Sequence, residues 1–168
     1  MHFLIRSVVL LALSFAATTF SNRAFAQTPR PREASADTLN PIRSLVSFAT
    51  EHLNIPYRPG GSSRKGFDCS GFVRYCFNQW NITLPHSSAA QAEHGQAVEL
   101  DNAKPGDLIF FKGQSTKSKR IGHVGIITEV APGYVKFIHS AWKGGIRYDL
   151  LHAAYYSKRF VAIKRMIE

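Results

Sequence analysis

Apolar positions recur along this chain with two different periods, and the change between them divides the sequence. From Ile42 onward, Leu45, Val46, Phe48, Ala49 and Leu53 keep the three-to-four spacing of a helix with one apolar face. Asn40-Pro41 stands before them as a cap followed by proline at the first helical position, so a helix is predicted over 41–53. Cys69, Phe72, Val73, Cys76, Phe77 and Trp80 repeat the spacing and predict a second helix that starts near Asp68. Pro56, Pro59, Gly60, Gly61 and Gly66 mark an irregular loop over 54–67 between the two. Residues 86–95 hold one more short helix, from Ser87 or Ser88.

The second half of the chain turns to β character. Strands are predicted at Asp107–Phe111, His123–Val130, Tyr134–Ser140, Ile146–Leu151 and Phe160–Met166. Lys104-Pro105-Gly106, Pro132-Gly133 and Gly144-Gly145 supply turns between them. Helices first and strands after read as an α+β fold, with helices on one face of an antiparallel sheet.

The N-terminus follows a different logic. Met1 to Arg6 form a short basic start, Ser7 to Phe20 are almost unbroken apolar or small residues, and Ala24-Phe25-Ala26 offers a cleavage site. This is the order of a secretory signal peptide over 1–26. The apolar run is shorter than the roughly 20 residues of a spanning helix, and no cysteine near the cut offers a lipid anchor. Residues 27–40, rich in Pro, Arg, Ser and Thr, read as a disordered lead. Residues 41–168 then form a single domain with one core. The expected product is exported, to the periplasm or beyond, with no integral membrane segment after cleavage.

Charge narrows the partners. The formal net charge is +10, and +8 without Arg6 and Arg23. Such a surplus suits nucleic acid, anionic lipid or an anionic cell wall, and export removes nucleic acid. Lys112, Lys117, Lys119 and Arg120 gather in one loop, which reads either as a solvated loop or as an attraction to the wall.

Two cysteines, Cys69 and Cys76, are the only ones in the chain. On one helix they lie ~10 Å apart, too far for a disulfide. Cys69 sits in the first helical turn, where the dipole and free N–H groups lower a thiol pKa and favour the nucleophilic thiolate. The same position also reads as a small core residue. Cys76, two turns deeper among Phe72, Val73, Phe77 and Trp80, reads as structural.

A thiol nucleophile needs a base, and the base an orienting partner. His123 opens a strand, sharing a face with Gly125 and Ile127. Gly125, lacking a side chain, leaves room for a helix end or a ligand. His139 closes the next strand, on a face with Val135 and Phe137, and the Pro132-Gly133 turn pairs the two strands. His52 lies near the end of the first helix, where a cation suits the dipole. His86, His94 and His152 read as surface residues. Two histidines and a cysteine are also zinc-ligand types, yet none of their spacings is that of a metal site. No metal or organic cofactor is expected.

The ordered motifs are more specific. Tyr57-Arg58-Pro59-Gly60-Gly61 is followed by Gly66-Phe67-Asp68-Cys69-Ser70-Gly71-Phe72-Val73. Then come Leu84-Pro85, Gln91, Pro105-Gly106-Asp107-Leu108-Ile109-Phe110-Phe111, Gly122-His123-Val124-Gly125-Ile126 and Phe137-Ile138-His139-Ser140. This series resembles the NlpC-type cell-wall cysteine peptidases over about residues 42–166. The resemblance implies a papain-like fold, Cys69 as nucleophile, His123 as general base and His139 as the residue orienting it. It implies that Tyr57 lines the site and helps stabilise the oxyanion. Asp68 and Ser70 match positions beside the nucleophile, read here as a helix cap and a substrate contact. His86 departs from the family, which more often has arginine there.

The implied activity is hydrolysis of an amide bond in peptidoglycan stem peptides or their cross-links. The D-alanine–diaminopimelate bond is favoured slightly over the D-glutamate–diaminopimelate bond, because the chain looks most like the small single-domain enzymes of Gram-negative envelopes. Another acyl-transfer role and a wall-binding module remain as rival readings. No wall-binding repeat fits in residues 27–40, and a monomer is expected.

Overall fold

Asn40 starts the first helix by accepting the backbone N–H groups of Ile42 and Arg43 on Oδ1, at 3.0 and 3.2 Å. The computed structural model describes residues 40–168. The signal peptide expected over 1–26 and all of the lead except Asn40 lie outside the described residues. Helix α1 runs Pro41–Thr50, shorter than expected. Its continuation tightens: His52, Leu53 and Ile55 donate N–H to carbonyls three residues back, and Asn54 adopts a left-handed φ of 67°. The apolar spacing reaches Leu53 because this turn still presents Leu53 to the core.

Helix α2 (Cys69–Asn78) begins where the sequence placed it, and α3 (Ser88–Gln91) is the short helix expected there, capped by Ser87. Before α2, Ser62–Ser63 (β1) and Gly66–Phe67 (β2) form a small antiparallel pair inside the segment read as an irregular loop. The main sheet contains β3 (Gln96–Val98), β4 (Leu108–Lys112), β5 (Ile121–Ala131), β6 (Tyr134–Ala141), β7 (Gly145–Leu150) and β8 (Phe160–Arg165). A one-turn helix α4 (Ala154–Ser157) precedes β8. The strand order is β3-β8-β4-β5-β6-β7, and every pair is antiparallel. Strand β3 and helix α4 carry too few apolar residues to have been predicted.

Period-two geometry splits the apolar residues between two layers. Leu108, Phe110, Val124, Ile126, Ile138 and Ile146 face α1 and α2 in one core. Ile109, Phe111, Ile127, Val135, Phe137 and Ile163 form a second core on the other side of the sheet. Asp107, 2% exposed, is held there by Arg165, whose Nε and Nη2 donate at 2.8 Å each to its two carboxylate oxygens. That pair explains the acidic residue after Pro105-Gly106: it locks β8 to the start of β4. Among the described residues, no helix is long and apolar enough to cross a membrane.

Candidate active site

Cys69 is the first residue of α2, and the local sequence fixes it there. Asp68 Oδ1 accepts the Gly71 N–H at 2.6 Å and the Ser70 hydroxyl at 3.1 Å. Gly71 lets the preceding loop fold back on the helix, since a Cβ there would collide with the Gly61 carbonyl oxygen. Gln91, fully buried, donates Nε2 to the carbonyls of Ser70 (2.9 Å) and Pro85 (2.8 Å) and ties α3 to the first turn of α2. Ser140 on β6 donates to the Phe67 carbonyl at 2.7 Å, which fastens the approach to α2 onto the sheet.

The thiol is partly exposed, whereas Cys76 is buried and burial pushes its pKa up. The lowered pKa expected for Cys69 is not what the surroundings produce. Burial first, and then the Asp68 carboxylate, push Cys69 up to about 11, against the opposing N–H groups of Val124, Ser70 and Cys69 itself. Asp68, the residue that caps the helix, thus works against the N–H groups at its start, and burial outweighs both. At neutral pH the resting group is a thiol.

His123 and His139 come from neighbouring strands and meet. His123 Nε2 lies 2.7 Å from His139 Nδ1, with ring centroids 4.8 Å apart and planes at 90°. Gly125 makes this approach possible, but not by admitting a helix end. A Cβ on Gly125 would stand 2.8 Å from Cδ2 of Phe137 and 3.2 Å from the His139 Cβ, so the vacant position is filled by β6 side chains. Burial, reinforced by the neighbouring His139, pushes the His123 pKa down to about 3, and burial also lowers that of His139. Both imidazoles are neutral at pH 7.

Behind His139 lies a residue the sequence reading did not single out. Asp149 Oδ2 accepts from His139 Nε2 at 2.9 Å and from the Tyr156 hydroxyl at 2.9 Å, while Oδ1 accepts from Arg147 Nη2 at 2.6 Å. These hydrogen bonds overcome partial burial and hold the carboxyl pKa down at about 2. The signal was present in the alternation Arg147, Asp149 on one face of β7. The register His139↔Arg147 puts Asp149 one diagonal step from His139. That register depends on the length of the Trp142–Gly144 turn, which apolar patterning does not set.

Tyr57, Cys69, His123, His139, Trp142 and Asp149 all line one cleft of about 700 Å³. Tyr57 packs against Trp142, centroids 5.1 Å apart, and Trp142 is 72% exposed at the rim. Burial, with Cys69 and Asp68 nearby, raises the Tyr57 pKa, so the phenol keeps its proton. Asp68 and Ser70 are not brought to the cleft lining. Ser70 is 5% exposed and spends its hydroxyl on Asp68, which makes it part of the helix cap rather than an open substrate contact.

The remaining histidines divide. His86 is exposed, as read, and its Nε2 sits 3.1 Å from Asp68 Oδ1 over the start of α2. His52 lies just past the end of α1, as read, but is not exposed there. It is buried among Phe48, Phe67, Phe72 and Tyr75, with Nδ1 2.8 Å from the Phe48 carbonyl oxygen. His94 and His152 are exposed. Among the described residues, no group of three or more His, Cys, Asp or Glu could hold a metal ion.

A thiol at a helix start and an imidazole pair on an antiparallel sheet, opening on one cleft, belong to the papain-like class of α+β cysteine peptidases. The chain belongs to the NlpC/P60 family, whose model matches residues 54–165, and it is a cysteine-type peptidase. It is 34% identical over 153 residues to a probable endopeptidase from Haemophilus influenzae, covering 90% of each chain. It is 36% identical over 114 residues to the murein DD-endopeptidase MepS/murein LD-carboxypeptidase of Escherichia coli, covering 67% of this chain and 56% of that one. The crystal structure of an NlpC/P60 family protein from Bacillus cereus superimposes with a TM-score of 0.66 at 30% identity, over 74% of this chain and 39% of that chain. The peptidoglycan hydrolase RipB of Mycobacterium tuberculosis gives a TM-score of 0.62 at 26% identity, over 82% and 69%.

Proposed function

We propose that this chain is an exported peptidoglycan endopeptidase that hydrolyses an amide bond in stem peptides or their cross-links, with Cys69 as nucleophile and His123 as base. The observation that carries the reading is the 2.7 Å contact between His123 Nε2 and His139 Nδ1 at the cleft that Cys69 also lines. The names of its relatives support the substrate. Of the two bonds considered, D-alanine–diaminopimelate is preferred over D-glutamate–diaminopimelate, in keeping with the DD-endopeptidase activity named for the E. coli relative.

The reaction starts from a neutral pair. His123 takes the Cys69 proton as sulfur attacks the amide carbonyl carbon, so charge develops only when the substrate is in place. The oxyanion is stabilised by backbone N–H groups at the start of α2 and by the protonated Tyr57 phenol. The His123 imidazolium then protonates the leaving amine, the C–N bond breaks, and a thioester remains on Cys69. Water, deprotonated by His123, hydrolyses the thioester and restores the thiol. His139 keeps the His123 ring in place throughout.

Diaminopimelate-type peptidoglycan incubated with the protein and with its Cys69→Ala variant, read by mass spectrometry of the muropeptides, tests this. Loss of cross-linked dimers with the parent protein alone is the expected result. Shortened stems would move the cut to the D-glutamate bond. An unchanged profile with both proteins would overturn the hydrolase reading, and retained wall binding would then favour a binding module.

A further inference from the structure

The hydrogen-bond chain behind His123 runs in one direction, and its sense is decided at the far end. A carboxylate only accepts, whereas a neutral imidazole carries one donor and one acceptor nitrogen. Asp149 Oδ2 stands 2.9 Å from His139 Nε2, so that nitrogen bears the proton. His139 Nδ1 is then the acceptor, and the nitrogen facing it at 2.7 Å, His123 Nε2, must donate. The proton of His123 is thereby committed, and its Nδ1 is left with a lone pair.

We propose that Asp149 is a positioning residue that fixes the tautomer of both histidines and so presents His123 with an unprotonated Nδ1. The proposal rests on the reading of His123 as base. No other group can set this sense. Tyr156 Oη is 3.4 Å from His139 Nε2 and gives its proton to Asp149 instead, at 2.9 Å. Arg147, on the same strand as Asp149, donates to the other carboxylate oxygen at 2.6 Å. The charged and titratable groups around the carboxylate are therefore His139 from β6, Arg147 from β7 and Tyr156 from α4, and all three donate to it. His139 is fully buried, so water does not compete for its Nε2–H. Phe137 and Tyr156 pack beside its ring, with centroids 5.0 and 5.6 Å away.

Asp149→Asn makes the test sharp because Arg147 selects the amide orientation. The guanidinium requires an acceptor, so the amide oxygen turns to Arg147 and the NH2 group to His139. His139 Nε2 must then accept, its Nδ1 donates, His123 Nε2 accepts, and the proton of His123 moves to Nδ1. The bonds from residue 149 through His139 to His123 survive with reversed sense, while Arg147 still donates to the oxygen.

The experiment uses the full chain labelled with 15N-histidine and reads the tautomers by NMR at neutral pH, alongside the rate of Cys69 alkylation by iodoacetamide. The parent protein is expected to show Nε2–H on both histidines. Asp149→Asn is expected to show Nδ1–H on both, with alkylation slowed by roughly 100-fold, the scale of a positioned general base. Tyr156→Phe, which leaves the acceptor intact, is expected to keep the parent tautomers and so separates a directional role from mere packing. Nδ1–H on His123 in the parent, or unchanged tautomers and alkylation in Asp149→Asn, would overturn the proposal. Intact peptidoglycan together with the expected NMR and alkylation results would instead count against the substrate reading and leave the role of Asp149 standing.

Discussion

His123 and His139 face each other edge to ring, their planes at 90° and their facing nitrogens 2.7 Å apart, with the second ring wholly buried. Neither histidine can be removed without orphaning a polar atom of the other. His139→Ala is expected to lower peptidoglycan cleavage by roughly 100-fold, because His123 loses the contact that holds its ring. The buried His123 Nε2–H left without a partner is expected to cost about 1–3 kcal/mol of stability. Steady-state kinetics and urea denaturation measure the two effects separately.

The two thiols differ in access, one partly exposed at a helix start and one sealed in the core. Iodoacetamide is expected to modify Cys69 alone in the native protein and both cysteines in denaturant, as counted by intact mass and located by peptide mapping. Modification of Cys76 first would contradict the assignment of the reactive position.

Activity is expected to be flat over an unusually wide pH range. His123 accepts a proton throughout the range above its depressed pKa of about 3, and Cys69 keeps its proton up to about 11. A kcat/KM profile is therefore expected to lack a limb near 6.5, the ordinary value for histidine. A limb there would mean that His123 is not held neutral.

Stability has its own pH dependence, with the sign set by each shift. The lowered His123 pKa gives a contribution present in full above 6.5 and lost as pH falls toward 3. Asp149 adds a second acid-side loss between 3.8 and about 2. Cys69, raised, contributes below 9.0 and loses that contribution as pH rises through about 11. Thermal melts across pH are expected to fall on both sides, independently of catalysis.

Gly125→Ala is expected to inactivate through crowding. The new methyl meets the Phe137 ring at 2.8 Å and the His139 Cβ at 3.2 Å, so β6 must shift and carry His139 with it. Overpacking of this kind costs about 1–3 kcal/mol. Loss of activity without loss of folding, seen by comparing turnover with the near-ultraviolet circular dichroism spectrum, is the expected pattern. Unchanged turnover would show that the pair tolerates displacement.

Much of this site was legible in the sequence because it is written in local patterns. The apolar stripe from Cys69 to Trp80 sets the start of α2, and Asp68 is recognisable as its cap. Pro132-Gly133 closes the β5–β6 hairpin between Ala131 and Tyr134, which places His123 and His139 on adjacent strands. What was not legible depends on surroundings rather than neighbours in the chain. The Cys69 pKa rises because of burial and the Asp68 carboxylate, neither of which a helix-dipole argument includes. His52 is the helix-end residue its position indicates, yet it is buried because aromatic rings from α2 and β2 close over it. Asp149 required the exact register of β6 on β7, and Gly125 required knowing which side of the sheet was crowded.

The division of the core into two layers has a consequence for when the enzyme becomes active. The histidine pair is separated by 16 residues along the chain and lies within one hairpin, so it is a local contact that loop closure makes cheap to form. The thiol borders the same cleft but packs on the core that α1 and α2 share with the other face of the sheet. A half-folded chain can therefore hold its imidazoles in register while having nothing for them to deprotonate. Disrupting the docking of α2 is therefore expected to abolish activity while leaving the histidine contact in place.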